Sequence, residues 1–361
     1  IINSFFQNRK QYVQIENSKS STTNNFDVSV CQGSCLGPPM FSIYINDLPL
    51  ITKLKTVLFA DDTNCILSGK NIKELEGVVN LELSKISDFM RANKLSLNTS
   101  KTTFTIISPR NKSVKEKIKI KIGNDEIKEA DEFRFLGIII DKNLKFKTQF
   151  QRVYDKVKQG VNALICSKKL LNYHSKLQIY HSLCHSHLMY CCLGWMPKIS
   201  NSELQSLATL QKRALRAIFC SKYNAHTNVL FYLSRITKVE DLIENESLKL
   251  MYQFKNLLLP PAIMQLISNF TASSKATTRN QKCVNSFSIN GLRRNDSIYE
   301  IVKNWNECKL IEIKERSYEL PSVKSRIKKY QRDRYNFSCE RSRCHSCFYT
   351  NQVGYEAYMK V

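Results

Sequence analysis

The residues best suited to chemistry are two adjacent aspartates, Asp61 and Asp62, in "VLFADDTNCIL" (57–67). One apolar run leads into them and a second leaves. Successive strand side chains point to opposite faces, so in mid-strand the pair would not share a ligand. At the tip of a hairpin the backbone turns, and both carboxylates reach one site. Hard divalent ions take oxygen ligands, and Mg²⁺ typically uses one or two carboxylates plus substrate phosphates. Two such ions clamp the attacking and leaving oxygens of a phosphoryl transfer. The plainer reading is that aspartate is simply a good turn residue. The dipeptide alone favours the turn, so its surroundings must decide.

A second group lies in "CERSRCHSC" (339–347): Cys339, Cys344 and Cys347, with His345 among them. A closed structural zinc site wants four ligands. Three thiolates and a histidine squeezed between two of them meet that count poorly, and a basic cysteine-containing tail is the other reading. His181 and His185 stand four residues apart on a helical pattern. No Glu follows in the H-E-x-x-H arrangement of a zinc protease, and the neighbouring residues are core-like, so packing is favoured over a metal.

The elements that must position these groups follow from periodicity. "QYVQIEN" (11–17) alternates like a strand, and "CQGSCLGPPMFSIYINDL" (31–48) opens as a glycine loop. Pro38 and Pro39 suit the first turn of a helix, where a missing N–H costs nothing. Ile72, Leu75, Val79, Leu83, Ile86 and Met90 form one apolar stripe of a helix. "TTFTIIS" (102–108), "KIKIKIGNDEIKE" (117–129) and "FRFLGIIID" (133–141) read as strands, the middle one a hairpin at "GND". From about residue 147 the period is helical. Phe150 to Leu164 make one stripe, Leu177 to Trp195 a second, and helices follow near 201–220 and 238–258. Residues 270–300 read as linker, and 322–336 as a basic helix whose Lys324, Lys328, Lys329 and Arg332 alternate with Tyr330 and Tyr335. That mixture suits phosphate contacts with base stacking, or a merely solvated amphipathic helix. The fold class is therefore α+β, an antiparallel sheet with helices, followed by an all-helical region.

The charge is +24, of which residues 1–150 carry +6 and residues 151–361 carry +18. Such a surface concentrates polyanions, and nucleic acid is the expected partner. No apolar run reaches the ~18–20 residues that span a bilayer, and no membrane role is expected. Thirteen scattered cysteines in a chain of 361 residues read as reduced, mostly buried thiols of an intracellular protein.

In their order and spacing, "CQGSCLGPPMFSIYINDLP" (31–49), "FADD" (59–62), "LSLNTSKT" (95–102) and "FLGIIID" (135–141) resemble motifs B, C, D and E of the reverse transcriptases of non-LTR retrotransposons, LINE type, jockey-like group. "HSLCHSHLMYCCLGW" (181–195), "LQKRALRAI" (210–218) and "LMYQFKNLLLPP" (250–261) are similar to the helical region that follows in such elements. The resemblance implies a right-hand polymerase palm over 1–146, a thumb-like helical region over 147–262 and a basic C-terminal region over 263–361. It implies RNA-directed DNA polymerisation with Mg²⁺ or Mn²⁺, an RNA template, a DNA primer or target and dNTPs, in the nucleus and in cytoplasmic ribonucleoprotein. Asp61 and Asp62 would hold the metals. Gln32, Gly33, Ser34 and Phe59 would contact template and nucleotide. Lys101 would stabilise departing pyrophosphate, or be an ordinary surface lysine. Phe135, Leu136 and Gly137 would form the primer grip, or plain sheet packing.

Two positions depart from the family pattern. Cys31 stands where proline is usual, and Pro39 where an apolar residue is usual. The family's third carboxylate, on a strand before motif B, has no counterpart in these residues, and Asp47 in the motif B helix does not replace it. The expectation is a palm truncated at its N-terminus that does not polymerise alone; the alternative is a non-catalytic nucleic-acid-binding remnant. For the tail, metal analysis of purified protein decides between the readings. About one zinc per chain, lost in Cys344→Ser, is the result a site requires, and zinc-free protein rules it out.

Overall fold

A computed structural model describes residues 10–20, 24–25, 33–108, 116–274, 286–289, 297–315 and 318–335. Gln32 and the cysteines of 339–347 lie outside them. The chain divides into two compact units, Ile1–Asp131 and Glu132–Val361.

The first unit is mixed. Short strands β1 (Lys10–Gln11) and β4 (Asn24–Asn25) pair antiparallel, as do β2 (Gln14–Ile15) and β3 (Ser18–Lys19). Helices α1 (Gly37–Ile45) and α2 (Leu48–Ile51) follow, with Asp47 between them rather than inside a single motif B helix. Strands β5 (Lys55–Phe59) and β6 (Asp62–Ile66) form an antiparallel hairpin. The long helix α3 (Ile72–Ala92) starts at Asn71, whose side chain accepts the Lys73 N–H at 3.1 Å. Strand β9 (Asp125–Glu129) pairs antiparallel with β8 (Ile120–Ile122) and parallel with β7 (Thr103–Phe104). Among the described residues of this unit the expected antiparallel sheet is thus three two-stranded pieces and one three-stranded piece, with one pairing parallel.

The α3 stripe buries Ile86 and Met90 against Ile45, Leu48 and Leu54, with Phe41, Leu58, Leu95 and Leu97 packed on the same cluster. Motif B helix, hairpin, α3 and the "LSLN" segment therefore share one core. Toward β8, α3 packs Val79 and Leu83 on Ile120, Ile122 and Ile127 and adds polar contacts. The Asn80 amide donates to Lys119 O (2.9 Å) and accepts from the Lys121 N–H (2.8 Å), pairing the edge of β8.

The second unit opens with the hairpin β10 (Glu132–Phe135) and β11 (Ile138–Asp141), then α4 (Lys147–Ser167). The apolar run "FRFLGIIID" is therefore two strands and a turn, not one strand. Helix α5 (Tyr173–Tyr180) passes through a π-turn at His181–His185 into α6 (Ser186–Met189). The expected single helix breaks at Tyr190 and Cys191, Cys191 at φ +51°, and resumes as α7 (Cys192–Trp195). Gly160 on α4 admits the π-turn, since a Cβ there would meet Cys184 Sγ at 2.7 Å and Leu183 O at 2.9 Å. Helices α8 (Asn201–Ile218), α9 (Asn228–Ser234), α10 (Leu242–Lys255) and α11 (Pro261–Ser268) follow. A strand pair (Thr271–Ser274 with Ser286–Ile289) lies in the expected linker. Helices α12 (Ser297–Glu307), α13 (Ile311–Glu315) and α14 (Leu320–Asp333) complete the described chain.

Buried Gln211 is fully paired. It donates to Tyr180 Oη (2.8 Å) and Thr237 O (2.9 Å), and accepts from the Val239 N–H (2.8 Å). On α14, Lys324, Lys328 and Lys329 are exposed. Tyr335 is buried against Phe231 and accepts the Lys238 N–H, so it is withdrawn from base stacking. Cys184, Cys192 and Cys308 are buried, whereas Cys35, Cys65, Cys166, Cys191 and Cys220 are exposed, against the expectation of mostly buried thiols. No helix among the described residues is long and apolar enough to cross a membrane.

One buried carboxylate organises the approach to β5. Glu82, on the inner face of α3, accepts from the Lys53 N–H (2.7 Å), Thr52 Oγ1 (3.0 Å) and Lys85 Nζ (2.6 Å). The Lys85 ammonium, then the Lys53 amide, hold its carboxyl down from 4.5 to about 2. A depressed carboxylate contributes stability that is complete above its unfolded value and is lost as pH falls through the folded one. Acid unfolding of the first unit should therefore show a loss between about pH 4.5 and 2 that Glu82→Gln flattens, followed by denaturation at stepped pH.

Candidate functional site

The β5–β6 register pairs Phe59 with Asp62, which leaves Ala60 and Asp61 as a two-residue turn. Ala60 takes φ +50°, in the left-handed region where a Cβ costs roughly 1–2 kcal/mol. Two-residue hairpins need such a backbone to match the strand twist. The turn lifts Asp61 off the strand path. Asp62 begins β6 and lies on the same face as its cross-strand partner Phe59. All three side chains are exposed, Phe59 at 61%. Neither carboxylate makes a hydrogen bond or ion pair with a described residue. The tip thus presents two uncommitted anionic groups beside an open aromatic ring.

Gly33 stands at φ +81°, and a Cβ there would meet nothing within 4 Å. Its glycine is required by backbone shape, not by crowding. Ser34 Oγ accepts the Gly37 N–H at 3.0 Å, closing the loop onto α1, and keeps its own proton to donate. Lys101 is exposed in a turn built on Asn98, whose Oδ1 accepts the Lys101 N–H (3.2 Å) and the Ser100 hydroxyl (2.7 Å). The core shared by α1, the hairpin and Leu95 and Leu97 is what connects these loops. Tyr44 adds a polar tie, its hydroxyl donating to Asn93 O.

Phe135, Leu136 and Gly137 belong to the second unit. Leu136 (φ +45°) and Gly137 (φ +86°) are the two turn residues of β10–β11. Beside that hairpin runs an open groove of about 460 Å³, lined by Glu132, Phe133, Arg134, Ile139 and Arg152.

Asp61 and Asp62 offer the oxygen ligands that Mg²⁺ or Mn²⁺ takes, at adjacent exposed positions of the tip. They do not complete a metal's shell: among the described residues no group of three or more His, Cys, Asp or Glu side chains is placed to hold a metal. His181 and His185 pack edge to face at 5.3 Å. Burial, then the charges of His181, Lys328 and Lys249, push His185 down to about 4, which leaves it neutral in ordinary buffer.

Sequence reasoning passed over Glu82, Gln149, Arg152 and Tyr190. Glu82 had a signal, because it falls on the apolar stripe between Val79 and Ile86, where a carboxylate needs buried partners. Tyr190 had none, since it stands in an otherwise core-like run.

A hairpin carrying adjacent carboxylates, a glycine loop leading into a helix, and a lysine turn are joined by one core. Residues 1–140 match the family model described as Reverse transcriptase (RNA-dependent DNA polymerase). More particularly, the chain is similar to the RNA-directed DNA polymerase from mobile element jockey of Drosophila melanogaster, 24% identical over 262 residues, 70% of this chain and 28% of the relative. The probable RNA-directed DNA polymerases from transposons X-element and BS of the same fly are 22% and 24% identical, each over 68% of this chain and 28% of the relative. The resemblance to non-LTR retrotransposon reverse transcriptases therefore holds, and the chain spans little more than a quarter of the length of these relatives. No solved structure matches.

Ala60 offers a local test of the turn. Ala60→Gly should raise stability by up to about 1 kcal/mol and Ala60→Val lower it, in chemical denaturation.

Proposed function

We propose that the chain is the polymerase portion of a non-LTR retroelement protein, with residues 1–146 as part of the palm and 147–262 as a thumb-like region. Residues 263–361 form a basic extension. The substrates are an RNA template, a DNA primer or target end and dNTPs, handled in the nucleus and in ribonucleoprotein. The observation that carries this reading is the pair of exposed carboxylates at the hairpin tip, Asp61 in the turn and Asp62 at the start of β6, with Phe59 on the face of Asp62.

Asp61 and Asp62 would hold divalent ions, which when bound activate the primer hydroxyl and neutralise the triphosphate. The remaining work is positioning, as in other phosphoryl transfers. Phe59 offers a flat apolar face to a base or sugar. Gly33 lets the template or nucleotide approach backbone, and the Ser34 proton is free for a polar contact. Lys101 brings a mobile cation to the leaving phosphate. Gln32 and a zinc at Cys339, Cys344 and Cys347 remain part of the proposal from sequence alone.

A polypeptide of these 361 residues should bind a DNA-primed RNA template with an affinity that falls steeply as salt rises. It should not extend the primer, because two carboxylates leave the ion pair without its third bridging ligand. Extension with Mg²⁺ would refute that. Mn²⁺ added to labelled protein should broaden the signals of residues around 59–63, and Asp61→Asn should abolish the effect. The second reading, a binding remnant, is favoured by the charge of +24. It requires the same salt-dependent binding with no Mn²⁺ effect at the turn.

A further inference from the structure

The β10–β11 turn is held by more polar contacts than a hairpin of its length needs. A two-residue turn closes itself through its flanking residues, here Phe135 and Ile138. Its two central carbonyls normally face water. Here both are taken, by side chains from separate elements. Tyr190 Oη donates to Leu136 O, and Arg152 Nη1 donates to Gly137 O at 2.8 Å. One residue on, the buried Gln149 Oε1 accepts the Ile139 N–H at 3.0 Å. At the far end of β11, Asp141 caps the start of α4, its Oδ2 accepting the Phe146 N–H at 2.6 Å.

Tyr190 is not there for burial, because 53% of its surface is open. It is presented by an interruption of the helix. The π-turn at His181–His185 shifts the phase of the following turn, and such bulges gather at functional sites. The chain then leaves helical geometry at Tyr190, passes Cys191 in the left-handed region, and resumes at Cys192. The fully buried Trp195 donates its indole N–H to Tyr190 O at 3.1 Å, which fixes the backbone that carries the ring. Arg152 projects from the second turn of α4, next to Val153 in the core.

We infer that Tyr190 and Arg152 are positioning residues that lock the 136–137 turn into one backbone shape for contact with a nucleic-acid strand. The inference rests on the reading of Phe135, Leu136 and Gly137 as the primer grip. Two effects act together. A left-handed Leu136 is an unfavourable conformer that persists only where its surroundings over-determine it, and the two hydrogen bonds supply that. They also cover two carbonyl oxygens whose partial negative charge would oppose a phosphodiester.

The test compares the full chain with Tyr190→Phe, Arg152→Lys and the control Tyr223→Phe, whose ring is 90% exposed. Tyr190→Phe keeps the ring and loses only the donor. Arg152→Lys keeps the charge and loses the fork. Hydrogen–deuterium exchange over 132–141 should accelerate roughly 3–10-fold in each variant, the size of one net hydrogen bond, with little change elsewhere. Affinity for a DNA-primed RNA template should fall by a similar factor, while affinity for unprimed single-stranded RNA holds. The control should change neither. Unchanged exchange over 132–141 overturns the inference, whatever the binding shows. Faster exchange with equal loss on primed and unprimed template also overturns it, because the turn would then lack a role at the primer. A wild-type chain that does not distinguish primed from unprimed template defeats the primer-grip reading itself, and the exchange data still decide whether the two side chains hold the turn.

Discussion

Two adjacent side chains can serve one ligand only if the backbone stops alternating between them, and that constraint governs the first unit. A strand through Asp61 and Asp62 would send the carboxylates to opposite faces. The turn at Ala60 and Asp61 interrupts that alternation, at the cost of a left-handed alanine. A turn this short transmits any movement of its strands directly to its tip. The strands must therefore be anchored from below. Glu82 does this at the start of β5, and Leu58 does it by packing into the cluster of α1 and α3. The acidic tip is open because the polar and apolar anchors that fix it are buried.

The two hairpins use similar backbones for different ends. Each turns in two residues and each places a non-glycine residue at positive φ, Ala60 in one and Leu136 in the other. At the first tip the side chains are left without internal partners. At the second the backbone carbonyls are tied to Tyr190 and Arg152. One tip leaves its acidic side chains open, and the other fixes its backbone.

Much of this was legible in the sequence because amphipathic spacing is a strong signal. The stripes of α3 and α4, the hairpin at "ADD" and the turn at "GND" are seen where the residues put them. The "FLG" turn was hidden because leucine at φ +45° is not a turn-former and the residues beside it, Phe133, Phe135 and Ile138 to Ile140, are strand-formers. The break at Tyr190 was hidden because the apolar residues on either side keep a helical spacing through it. Tyr335 looked available because a short basic helix seldom buries its aromatic residues. Only the core of the second unit shows that Phe231 and Lys238 claim it. Asp61 and Asp62 themselves were visible as letters, and their chemistry became readable only through the segments around them.

The start of the motif B helix has a further consequence. A helix N-terminus ordinarily cradles phosphate with its free N–H groups. In α1 those donors are absent or spent. The Gly37 N–H is bound to Ser34 Oγ, Pro38 and Pro39 have none, and the Met40 N–H is bound to Leu36 O at 3.1 Å. This end of the helix is mute toward an anion. The glycine loop therefore runs into a helix that offers it shape and no free backbone donors in its first turn.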